Sequence, residues 1–246
     1  MGLLDHLDEL RRRLMRALIG FVVIFILCFG FSKPIYAFLA KPIYEFLPPD
    51  SKLVFLGITD PFILYIKVAA LAGLFLSSPL ILYQVWGFVA PGLYKREKRM
   101  AVPFIVSGSL LFLGGGAFGY FIAFPFAVEF LLGVGEQFEP TITVTNYLSF
   151  LMTVILGLGV MFEMPTLIFL LSRLGVVTPR FLLRHFRWAV LIIFTMAAVI
   201  TPTPDVINLC IFALPTLGLY LVGVAVAWAF GPAKKQDLDE PALAGE

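Results

Sequence analysis

Charge is scarce in this chain. Only 14% of its 246 residues are Asp, Glu, Lys or Arg, 60% are hydrophobic, and the mean hydropathy is +0.97. A soluble domain carries about 25% charged and 45–50% apolar residues, so an ordinary soluble fold is excluded. Cysteine and histidine are scarcer still. Cys28 and Cys210 both lie inside apolar runs and read as small core residues rather than a disulfide. His6 and His185 have no ligand spacing, so no metal site is expected. No Gly-rich phosphate loop is present, which argues against a built-in nucleotide motor, and no cofactor is expected. The first apolar run ends at Phe31-Ser32-Lys33 without a small-x-small site, so it reads as a span rather than a cleavable leader.

What the chain does have is a series of long apolar runs, the mark of an all-α integral membrane protein. Six transmembrane helices are predicted, at about 14–31, 61–90, 102–126, 146–172, 189–200 and 206–230. Together they form one membrane domain, 1–230, followed by a disordered cytoplasmic tail, 231–246. Leucines at 3, 7, 10 and 14 make a stripe, so residues 1–13 read as a surface amphipathic helix running into the first span. Pro42 falls in an outer segment, 32–60, with short half-buried helices at 35–39 and 43–47. Lys67, near the outer end of the second run, should reach the interface by snorkelling. Glycines at 108, 114, 115, 116 and 119 suit close helix packing in lipid. Residues 127–145 read as a second outer loop. The last two helices are expected to be short, the fifth being only about 18 Å long at helical rise, and Pro215 should break the sixth.

The basic residues set the orientation. Segments 1–16, 91–101, 173–188 and 231–246 hold 4, 4, 4 and 2 Lys/Arg, which is 14 of the 18. Cytoplasmic loops keep such cations, so both termini are placed inside.

Three acids stand out against this apolar background. Glu163 lies ten residues before Arg173, about 15 Å inside the inner boundary, where a carboxylate must face a bundle interior or water. Pro165 deprives the Met161 carbonyl of its usual donor and favours a bend there. The structural alternative for Glu163 is a neutral carboxyl bonded to a neighbouring helix. Glu9 reads most simply as an i,i+3/i+4 partner of Arg12 and Arg13, and Glu97 as charge balance within Lys95–Arg99. Both nevertheless lie on the inner face beside Leu7, Phe88 and Leu93, where two carboxylates can grip a basic peptide.

These motifs resemble the TatC family, the multispanning subunit of the twin-arginine protein translocase. The likeness runs from about His6 to Phe230. It is carried by His-Leu-x-Glu-Leu-Arg-x-Arg at 6–13, by Tyr83-Gln84-Val85-Trp86 and by Phe88-x-Ala90-Pro91-x-Leu93-Tyr94-x-x-Glu97. Tyr147-Leu148-Ser149-Phe150, Phe162-Glu163-x-Pro165 and Thr203-Pro204-Asp205 complete it. The resemblance implies a non-enzymatic receptor and scaffold in a bacterial inner membrane. It would bind twin-arginine signal peptides through Glu9 and Glu97, with Phe88 adjacent, and Leu93 lies in the same motif. It also implies TatA- and TatB-like single-span partners, self-association, and export driven by the protonmotive force. Glu163 matches the polar position of the concave intramembrane face, and Pro204 and Asp205 the external turn before the last helix. That turn here is Thr-Pro-Thr-Pro-Asp, more extended than the family's Pro-Pro-Asp. From another class, a small proton-coupled transporter using Glu163 predicts an internal repeat, and none is visible between 14–126 and 146–230.

Overall fold

The computed structural model describes residues 3–46, 53–89, 101–135, 137–138, 141–201 and 205–230. Every extended element among them is helical, with one isolated bridge between Val54 and Thr143. Helix α1 (Leu3–Gly30) is a single 28-residue rod, so the amphipathic start and the first span are continuous. Two short helices are expected at 35–39 and 43–47; the structure has α2 (Ser32–Leu39) and α3 (Lys41–Tyr44). Pro42 is buried in the first turn of α3, where a missing N–H costs nothing. Helix α4 (Asp60–Val89) runs 30 residues through Pro79. The proline removes the donor for the Phe75 carbonyl, and the Ser78 hydroxyl donates to that carbonyl instead at 2.8 Å.

The third apolar run is longer than expected. Helix α5 (Ala101–Phe118) passes through a π turn (Gly119–Ala123) into α6 (Phe124–Val134). The apolar run is thus 34 residues, and the expected outer loop at 127–145 loses its first eight residues to helix. The third span is expected to end near 126, just past Pro125. The π turn just before Pro125 absorbs the lost hydrogen bond, so the helix continues.

Helix α7 (Val144–Phe162) ends at Glu163, and α8 (Met164–Arg173) begins there with Pro165 in its first turn. The helix is thus interrupted at Glu163, two residues before Pro165. The charged segment 173–188 is not simply a loop. It contains α9 (Pro179–Arg184), whose N-cap Thr178 accepts from the Phe181 N–H at 3.2 Å. It also contains the first turn of α10 (Phe186–Ile200), started by the His185 carbonyl. Helix α10 has 15 residues, about 22 Å, three residues more than predicted but still too few for about 30 Å of hydrocarbon. Helix α11 (Val206–Phe230) has 25 residues and continues through Pro215, which corrects both the expected break and the expectation that both last helices are short. Only α10 is short. Among the described residues five helical runs are long and apolar enough to cross a membrane, and α10 is a shorter apolar helix. The tail 231–246 lies outside the described residues.

Helix α7 is the hub. Its Leu148, Leu151, Val154 and Leu158 are wholly buried, packed among α4, the π turn, α10 and α11. Helix α5 meets it closely: a Cβ on Gly115 would lie 2.5 Å from the Leu158 carbonyl oxygen and 2.9 Å from the Gly159 Cα. Helix α1 packs against α4, with the Phe25 backbone seated on Gly73. At the outer end, the Tyr147 hydroxyl donates to the Leu39 carbonyl and Tyr120 to that of Phe38 at 2.6 Å. These two bonds satisfy the carbonyls left open where α2 ends.

Candidate functional site

The C-terminal ends of α4 and α8 and the N-terminal end of α5 are tied by packed rings. Trp86, 3% exposed, packs on Phe104 with centroids 5.0 Å apart, and Phe104 on Phe169 at 6.3 Å. This stack fixes the last turn of α4, where Phe88 is half-buried. Onto the same turn comes α1. Arg13 lays its guanidinium over Gly87, close enough that a Cβ there would collide with it. Arg13 in turn holds Glu9: its Nε and Nη2 donate at 3.1 and 3.0 Å, both to Oε1. Glu9 Oε2 takes no bond among the described residues, and the carboxylate is half-buried.

The i,i+4 pair anticipated for Glu9 therefore exists with Arg13, while Arg12 donates to the Asp8 carbonyl. What sequence reasoning missed is that the pair is seated against α4, one residue from Phe88. The signal was Gly87, a small residue at the end of an otherwise bulky aromatic turn. Leu93 and Glu97 lie outside the described residues.

The second polar place is in the membrane. Glu163 sits at the α7–α8 break, half-buried, its carbonyl accepting from the Leu167 N–H at 2.9 Å. Its side chain lies beside the Thr166 hydroxyl and against bare Gly108 of α5, where a Cβ would come within 3.3 Å of Oε2. Leu82 of α4 closes the same spot. The carboxyl thus faces the packed junction of α4, α5 and α8, as an intramembrane acid must. Neither Thr166 nor Gly108 was identified from sequence as its neighbour.

Asp205 has a structural task. It caps α11, its Oδ2 accepting from the Asn208 N–H at 2.7 Å and its Oδ1 from the Asn208 side chain at 3.1 Å. Pro204 lies outside the described residues. No group of three or more His, Cys, Asp or Glu that could hold a metal occurs among the described residues. Cys28 is buried and Cys210 half-buried, both free.

The sequence matches the family described as Sec-independent protein translocase protein (TatC) over residues 5–215. The chain belongs to the TatC family. The TatC of Koribacter versatilis is 45% identical over all of this chain and 92% of its own length. The TatC of Escherichia coli K12 is 39% identical over 90% of this chain and 86% of its own. A crystal structure of the twin-arginine translocase receptor TatC in DDM superposes with a TM-score of 0.80. It is 36% identical, covering 90% of this chain and 99% of that one. As a member of TatC, the chain is a multi-pass inner-membrane component of the Sec-independent protein translocase, not an enzyme.

Proposed function

We propose that this chain is the receptor and scaffold of the twin-arginine translocase, a single domain of six spans with both termini cytoplasmic. In this reading Glu9 and Glu97 take the paired arginines of a signal peptide, and Phe88 and Leu93 supply apolar contact beside them. The observation that carries it is the state of Glu9. The carboxylate is half-buried on the inner face beside the aromatic end of α4, already holding one guanidinium by Oε1 alone. That is an arginine site with a resident arginine. A guanidinium presents a planar fork of donors that a lysine ammonium lacks, so the site favours Arg-Arg over Lys-Lys. An incoming arginine binds at Oε2 or displaces Arg13, and an i,i+4 helix pair worth about 0.2–0.5 kcal/mol is a small obstacle.

Glu163 serves, in the same reading, as a polar contact for a TatA- or TatB-like single-span partner or for the inserted signal peptide. The protonmotive force drives export, and the complex contains several copies of the subunits. Membership of the TatC family supports this reading over the proton-coupled transporter. A photoreactive residue placed at Phe88 tests the receptor reading: it crosslinks to a twin-arginine signal peptide and does so far less to the twin-lysine version. Equal crosslinking of both peptides refutes it.

A further inference from the structure

Lys67 takes no part in the proposed receptor site, yet it is a cation set well inside a spanning helix. It lies seven residues past Asp60, the outer start of α4, which is about 10 Å along the axis. Helix α4 is about 45 Å long and exceeds the hydrocarbon by about 15 Å, so with that excess on the outer side Lys67 falls near the level of the outer lipid phosphates. Instead of pointing freely outward, its ammonium is half-buried and donates to the Ser149 hydroxyl of α7 at 3.3 Å. No carboxylate pairs with it among the described residues. A half-buried charge with only a neutral partner lacks its counter-charge.

The surroundings of Lys67 are polar and stepped. Asn146, Ser149 and Thr153 share one face of α7, with Asn146 and Thr153 exposed. Just below them α10 stops: Ile200, its last residue, packs on Gly157 of α7. Helix α7 continues 13 residues outward from Gly157 to Val144, about 20 Å. The end of α10 thus leaves a step beside the hydroxyl-bearing face of α7, into which a lipid headgroup fits next to Lys67.

We propose that Lys67 and Ser149 form a binding site for the phosphoryl group of an anionic outer-leaflet phospholipid. The ammonium supplies the charge and two free donor positions, and the Ser149 hydroxyl turns its proton to the same anion. The lipid fills the step above α10 and neutralises a cation the protein fold leaves uncompensated. The site depends on the outer placement of Lys67, not on signal-peptide binding.

The full chain, delipidated in detergent and titrated with phosphatidylglycerol or phosphatidylcholine under native mass spectrometry, tests this. The wild type binds phosphatidylglycerol about tenfold more tightly or better, as expected for one charge-assisted bond. Lys67→Gln loses that preference, Lys67→Arg keeps it, and Lys33→Gln, at an exposed outer lysine, leaves it unchanged. Should Lys67→Gln not fold, the wild-type titration alone decides: no preference for phosphatidylglycerol overturns the site. Retention of the preference in folded Lys67→Gln overturns it too. So does crosslinking of Lys67 to a carboxylate of a single-span partner that displaces the lipid, because the anion is then a protein's.

Discussion

Two adjacent glycines on α5 should respond in opposite directions to the same substitution. Gly115 faces α7 so closely that an added Cβ would sit 2.5 Å from the Leu158 oxygen, 2.8 Å from the Phe162 Cβ and 2.9 Å from the Gly159 Cα. Two of those three are backbone atoms and cannot rotate away. Nonbonded carbons settle at about 3.5–4.0 Å, so Gly115→Ala must push α5 and α7 apart by about 1 Å. Overpacking of this kind costs about 1–3 kcal/mol. At Gly114 nothing lies within 4 Å, and alanine is a better helix former than glycine by about 0.8–1.0 kcal/mol. Gly114→Ala should therefore be neutral or stabilising. Thermal survival of the monodisperse peak on size-exclusion chromatography in detergent reads both. The predicted order of stability is Gly114→Ala at or above wild type, then Gly115→Ala well below. If the two variants move together, α5 does not approach α7 as described.

Asp205→Ala removes two bonds to Asn208 and should cost about 0.5–2 kcal/mol, seen as a lower unfolding temperature, with Asp205→Asn retaining most of it. Glu163→Gln keeps the shape and hydrogen bonding of the side chain and should preserve co-purification with single-span partners, whereas Glu163→Ala should weaken it. Unchanged assembly and export in Glu163→Ala would make the carboxyl incidental. A spin label near Thr201 should read deeper in a bilayer than one at Val134. Ile200 lies at the level of Gly157, and the third apolar run continues 15 residues past Gly119, which itself packs on Ile155. Equal depths would rule out local thinning of the membrane over α10.

The apolar runs, the amphipathic start and the helix interruption beside Pro165 were legible because each is written in local spacing. Two boundaries were not. The third span was expected to end near 126, but past the π turn at Gly119–Ala123 the helix continues to Val134. The charges of Arg180, Arg184 and Arg187 look like loop, yet Thr178 and His185 nucleate helices among them. For the candidate site, sequence alone named Glu9 and its arginine partner. It could not place that pair on Gly87, since only the packing of α1 against α4 brings residues 13 and 87 together. The same applies to Lys67, which was expected to snorkel. Its bond to Ser149 spans 82 residues and depends on α4 and α7 being neighbours.

Equilibrium binding of a twin-arginine signal peptide to the purified protein tests the receptor reading most directly. Losing a charge-assisted hydrogen bond costs about 1.5–3 kcal/mol, so Glu9→Ala and Glu97→Ala should each weaken binding roughly 10- to 150-fold. Both variants should still elute as folded protein in detergent. A double variant that binds the peptide with wild-type affinity contradicts the account.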